Sequence, residues 1–221
     1  MKIKRHIQSD AQSDALRRQL TTVLDAQNEK GRVCGPQCTF RCPSCGSTAC
    51  RCNCSQDCPN VANALSSDPE NYPLEPGIAP LVFEMKRLGV FDSCWSCEGH
   101  KGHDGSLWKV PRVWFYCEDM VHLRLLADCL KQLSIKKQLS VPWQVCLTHS
   151  DEDNPGTTFS LEPSPDHVKD ADLQALQHDI MVIAGKLNDL FVTGARTLRH
   201  RLADMMRRVG LERGAKRPRS A

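Results

Sequence analysis

Eight of the thirteen cysteines fall within the 25 residues 34–58, which read CGPQCTFRCPSCGSTACRCNCSQDC. The segment and its flanks hold only Val33, Phe40 and Val61 as large apolar side chains. A stretch without apolar side chains cannot offset its own ordering entropy. Whatever folds these residues must therefore act through Cys34, Cys38, Cys42, Cys45, Cys50, Cys52, Cys54 and Cys58.

Three chemistries use thiols this densely. Zinc takes four thiolates tetrahedrally, and pairs two to four residues apart wrap one ion. Cys42 and Cys45 form such a C-P-S-C-G knuckle, and eight thiolates would close two sites. An iron–sulfur cluster is the alternative. Cys38, Cys42 and Cys45 have the C-x3-C-x2-C spacing and resemble the cluster loop of radical S-adenosylmethionine enzymes. Cys54, Cys58 and Pro59 resemble the end of a bacterial ferredoxin run, but Cys50, Cys52 and Cys54 are too closely spaced to continue it. A disulfide framework needs an oxidising compartment. The N-terminus, MKIKRHIQSDAQSD, has no apolar run behind its basic residues, so it does not read as a secretory signal. The reading is a cytoplasmic chain with reduced thiols, zinc as the expected metal and no membrane span.

Charge is unevenly placed. The net charge is +3, yet residues 194–221 carry nine Lys/Arg against Asp204 and Glu212, leaving +7 there and −4 on the remainder. Such asymmetry fits a polyanionic partner, nucleic acid among them, for the basic end. With 40% hydrophobic and 5% aromatic residues, the 221-residue chain supports one modest core with appendages.

Periodicity divides the chain into 1–31, 32–62, 63–76, 77–163 and 164–221. The first is an N-terminal helix over 9–30, with Ala15, Leu16, Leu20, Val23 and Leu24 at helical spacing, Ser9 or Ser13 as cap and Gly31 as stop. The second is the cysteine segment. The third is a linker broken by Pro69, Pro73 and Pro76. The fourth alternates helix (78–88), strand (90–97), strand (110–117), helix (119–137), strand (141–148) and strand (157–162), the last two paired as a hairpin. This α-β-β-α-β-β order predicts an α+β domain in which two helices pack on a small antiparallel sheet. The fifth is a long helix capped by Ser164 with Pro165 in its first turn. Leu173, Leu176, Ile180, Ile183, Leu187 and Leu190 step by three and four in a heptad pattern, suited either to self-association or to packing on the N-terminal helix. The pattern breaks at Thr193 and Gly194, as a stutter or a short turn, and resumes at Leu198, Leu202, Met205 and Val209; residues 213–221 are expected to be disordered.

A second group of ligand-type residues lies at 91–105, FDSCWSCEGHKGHDG. Cys94, Cys97, His100 and His103 step by three, and two thiolates with two imidazoles make a complete zinc set. The same residues admit a nucleophile reading, with Cys97 as thiolate and His100 as base. The local string SCWSCEGH with Leu107-Trp108-Lys109 resembles the S-x-S-C-S-G-R loop of the wybutosine-synthesis methyltransferase family, through Ser93, Ser96, Cys97, Gly99 and Trp108 and departing at His100. That resemblance spans about twenty of the residues 91–110 and implies a loop that ends a strand and borders an S-adenosylmethionine and tRNA site. Cys117, Cys129 and Cys146 fall in strand or helix patterns and read as small apolar side chains.

Two function classes follow. One is a zinc-held binding or interaction module whose basic end meets a polyanion. The alternative is an iron–sulfur redox protein or a cofactor-dependent enzyme that uses the 94–103 loop. No Rossmann fingerprint or Walker loop is present, and the sequence favours the module.

Overall fold

A computed structural model describes residues 9–28, 74–148, 156–168 and 171–215. The eight cysteines of 34–58 lie outside these residues, as do most of the linker and the last six residues, so the two-site expectation rests on spacing alone. The described residues form an α+β fold in the order α1 (Asp10–Asn28), α2 (Ala79–Arg87), β1 (Asp92–Cys97), β2 (His100–Lys101), β3 (Leu107–Lys109), β4 (Arg112–Tyr116), α3 (Met120–Ile135), β5 (Trp143–Thr148), β6 (Thr158–Pro163) and α4 (Leu173–Ala215). The main sheet is antiparallel with strand order β1-β4-β6-β5, and β2 and β3 pair as a separate hairpin. That hairpin is an addition to the expected order, inserted between the first two strands of the sheet.

Local chemistry accounts for the elements. Ser9 and Gln12 form a reciprocal capping box at the start of α1: the Gln12 N–H donates to Ser9 Oγ (3.2 Å) and the Ser9 N–H to Gln12 Oε1 (2.9 Å). Pro80 lies in the first turn of α2, where its missing N–H costs nothing. On β4, Val113 and Phe115 are buried while Arg112, Trp114 and Tyr116 are half-buried on the other face. Val113 and Phe115 pair with Leu161 and Phe159 of β6, so the inner face is continuous across the sheet. Phe91 fills the gap between sheet and helices, edge-on to Phe115 (5.2 Å, 83°) and to Phe191 (5.6 Å, 76°).

The C-terminal helix departs from expectation in two ways. Ser164 and Pro165 begin a separate 3₁₀ turn, Pro165–His167, and α4 starts only at Leu173. Of the two readings of the break at Thr193 and Gly194, the stutter agrees with the structure and the short turn does not: α4 runs unbroken for 43 residues and, past its expected end, includes 213–215. The reason is packing. Leu187, Phe191 and Ala195 are each fully buried, and these steps of four carry the apolar stripe through the stutter. Gly194 is a contact: a Cβ there would stand 3.2 Å from Leu125 Cδ2 of α3. Leu176, Ile180, Ile183 and Leu187 are buried within the chain, the last three in a core shared with Leu20, Val23 and Leu24 of α1. The heptad stripe is thus used internally.

One carboxylate ties α4 to the rest. Asp179 is 0% exposed. It accepts from the Ser140 N–H (2.8 Å), the Ser140 hydroxyl (2.7 Å), the Val141 N–H (3.4 Å) and Trp143 Nε1 (3.0 Å). Replacing Asp179 by Ala would leave buried donors unpaired. We expect a loss of about 3 kcal/mol or more, read as a lower urea midpoint at unchanged slope. A midpoint within error of the parent would show that the clamp contributes nothing.

Candidate metal centre

The site forms where the chain enters the domain and where β1 leaves the sheet. Glu75 lies in the turn before α2, where its carbonyl accepts from Ile78 N (3.2 Å) and Ala79 N (3.1 Å). Its carboxylate is oriented by the Glu98 N–H, which donates to Glu75 Oε2 at 2.7 Å. The Gly77 N–H returns the interaction to Glu98 Oε2 at 2.6 Å, and a Cβ on Gly77 would lie 2.7 Å from that same oxygen. Glycine permits this reciprocal clasp between 75–77 and 98. Gln177 of α4 adds a third hold, donating from Nε2 to the Glu98 carbonyl (3.3 Å).

Beyond Glu98 the chain turns sharply. Gly99 has φ +87°, and a Cβ there would lie 2.7 Å from Leu173 Cδ1 and 2.9 Å from Pro111 Cδ. This turn brings His100 back beside Cys97. One ligand atom each of Glu75, Cys97 and His100 lies within 4.8 Å of the others. His100 Nε2 is 3.0 Å from Glu75 Oε1. Cys97 is buried, and its sulfur accepts from the Gly99 N–H at 3.4 Å. Burial pushes the Cys97 thiol up, and the charge of Glu75 adds to the effect; the Gly99 N–H, Lys109 and Arg112 pull the other way. Without a cation, the sulfur stays protonated at neutral pH. A bound cation would reverse that preference, because thiolate is the ligand form.

The structure divides the four-residue set expected from spacing. Cys97 and His100 come together; Cys94 and His103 join no metal-capable group among the described residues. Along an extended strand three residues span roughly 10 Å, whereas two ligands of one zinc must nearly touch. Cys94 also occupies the irregularity between Ser93 and Trp95, where β1 slips register against β4, and it is exposed. His103 is carried off to the exposed tip of the β2–β3 hairpin, whose turn is held by Gly102 N to Ser106 O (2.8 Å) and by Asp104 Oδ1, which accepts from Ser106 Oγ (2.6 Å). The third ligand-type residue is Glu75, 22 positions before Cys97, and local spacing gave no hint of it.

The nucleophile reading fits the geometry less well. A relay uses the two opposite nitrogens of a histidine, whereas here single atoms converge on a common point, and reactive thiols have lowered, not raised, pKa values. Two further described thiols, Cys129 and Cys146, are also shifted up. Burial pushes Cys129 up to about 12, and burial with the neighbouring Glu162 pushes Cys146 up to about 11. A larger cavity, about 690 Å³, is bordered by Thr22, Phe91, Tyr116, Cys117, Asp119 and His122. There His122 Nε2 is 3.1 Å from the Gln19 carbonyl and joins α3 to α1, its Nδ1 faces Asp119 at the start of α3 at 3.9 Å, and neither nitrogen serves Cys117.

No protein family, curated protein or solved structure matches the chain. The site itself therefore carries the functional reading. The turn at Gly99 is its most demanding local feature. Gly99→Ala combines a left-handed backbone with two close contacts and should cost about 2 kcal/mol or more in denaturant unfolding, well above a surface substitution. A cost below about 0.5 kcal/mol would show that the turn is easily rebuilt.

Proposed function

We propose that this chain is a metal-binding module whose folded domain holds one divalent ion, zinc by donor chemistry, on Glu75, Cys97 and His100. The observation that carries the reading is the convergence of one oxygen, one sulfur and one nitrogen within 4.8 Å. Mixed sulfur, nitrogen and oxygen donors suit zinc, and two of the three are braced by backbone N–H groups, as metal ligands usually are. The ion would join the residue that opens the domain to the end of β1. The cysteines of 34–58 remain proposed ligands on their spacing, with zinc expected and an iron–sulfur cluster as the alternative.

The test is metal content of the full chain, purified under reducing conditions and dialysed. Cys97→Ala and His100→Ala should each remove one equivalent while leaving the ions held elsewhere. Cys94→Ala and His103→Ala should remove none. If Cys97→Ala retains the parent's content, the three-residue site is wrong. Brown colour with iron and sulfide in place of zinc would move the cysteine segment to the iron–sulfur reading.

A second reading concerns the basic end of α4. Arg196, Arg199, Arg201 and Arg207 are exposed, while Leu202 on the opposite stripe is buried. This supports contact with the phosphates of a nucleic acid. Because Ala195 and Leu202 are buried, truncation at 193 would damage the core, and charge removal is the cleaner test. Arg196→Gln, Arg199→Gln and Arg201→Gln together should weaken duplex binding and flatten its log–log salt dependence by about 0.9 for each phosphate that is no longer neutralised. An unchanged slope would retire the reading.

A further inference from the structure

Glu98 stands between two of the three donors without being one of them. It follows Cys97 in the chain, and its N–H donates to Glu75 Oε2 at 2.7 Å. Among the described residues it adds no atom to the converging group. Its own carboxylate accepts from the Gly77 N–H at 2.6 Å, so two hydrogen bonds close a ring through 75–77 and 98.

That ring decides which oxygen of Glu75 is offered to an ion. Oε2 is taken by the Glu98 N–H, and Oε1 is left 3.0 Å from His100 Nε2. Glu75 is the donor that most needs such a hold. Cys97 and His100 are brought together by the turn at Gly99, whereas Glu75 comes from a separate turn ahead of α2 and keeps 33% of its side-chain surface exposed. A free glutamate side chain spreads over many rotamers, and affinity falls with the fraction of molecules in the binding-competent one. The ring is also tied to α4, because Gln177 Nε2 donates to the Glu98 carbonyl at 3.3 Å.

We propose that Glu98 is the positioning residue of the metal site. Its N–H and its clasp on Gly77 align Glu75 for the ion, and its carbonyl makes the ion's affinity respond to the seating of α4. The inference rests on the metal reading above. Metal ligands commonly depend on partners that never touch the ion, and losing one costs about 10- to 100-fold in affinity. A carboxylate beside the site also attracts a cation by charge alone, so position and charge have to be separated. Glutamine at 98 does this, since its amide oxygen can still accept from Gly77 and carries no charge. Gly77→Ala does it from the other side. Its Cβ would lie 2.7 Å from Glu98 Oε2, the far end of a flexible side chain, and would displace the carboxylate while removing no charge.

The test is the cobalt(II) affinity of the full chain, read from the thiolate-to-metal absorption that the parent shows and Cys97→Ala lacks. Glu98→Ala and Gly77→Ala should each weaken binding about tenfold or more, Gln177→Ala about threefold, and Glu98→Gln by less than about threefold. In a Glu75→Ala background, Glu98→Ala should cost nothing further, because a residue that acts through Glu75 has nothing left to position. Should Glu98→Ala fail to fold, Gly77→Ala and Glu98→Gln still decide the matter. Parent-like affinity in Gly77→Ala or Glu98→Ala, a Glu98→Gln variant as weak as Glu98→Ala, or an undiminished loss in the Glu75→Ala background overturns the proposal and leaves the metal site standing. Parent-like affinity in Gln177→Ala overturns the link to α4. A null difference between parent and Cys97→Ala overturns the metal reading itself.

Discussion

The buried carboxylate of Asp179 is the interaction on which the arrangement of helices and sheet depends. It satisfies four donors from Ser140, Val141 and the first residue of β5, Trp143, so α4 is fixed in height and rotation against the sheet at one point. From there α4 packs against α1, α2 and α3. An unpaired charge at this depth would cost several kcal/mol, and four good donors bring the cost down to a structural gain. Because α4 is fixed, Leu173 at its first turn meets the Gly99 turn, and Gln177 reaches the Glu98 carbonyl. The metal-capable loop is thus held by a helix that is itself anchored at Asp179, two residues beyond Gln177.

The residues involved in the site form two opposing populations. Hydrogen bonds between backbone N–H groups and side-chain acceptors fix Glu75, Glu98 and Cys97. His100 is held instead by the Glu75 carboxylate at its accessible edge. A site of this kind is braced at the carboxylate and the sulfur, with its imidazole as the adjustable member. No helix among the described residues is long and apolar enough to cross a membrane.

Much of the fold was legible in the sequence because period and punctuation agree. The α+β class and the small antiparallel sheet follow from alternation in Val113 to Phe115 and the helical stripes of Leu126, Leu130 and Leu133. The hairpin β2–β3 was not legible, since two- and three-residue strands carry no period, and Gly102 and Gly105 look the same in a ligand loop as in a turn. The start of α4 was misplaced because Ser164-Pro165 is a sound helix signal that a 3₁₀ turn uses equally well. In the site, Cys97 and His100 were visible as a pair. Cys94 and His103 share that regular spacing, but an extended strand separates residues where a helix would gather them, and neither joins the group among the described residues. Glu75 was invisible: it lies in a proline-rich stretch, and only the Glu75–Glu98–Gly77 clasp brings it to the sulfur.

The continuity of α4 through Gly194 fixes the length of the polypeptide there. Each residue of an α-helix turns the chain by about 100°. A loop would absorb an inserted or deleted residue; a helix packed on both sides of position 194 passes the rotation on to everything beyond it. One residue more or fewer would swing Ala195 and Leu202 out of the core and drive the arginine face inward. The segment from 187 to 202 therefore tolerates changes of side chain far more readily than changes of count.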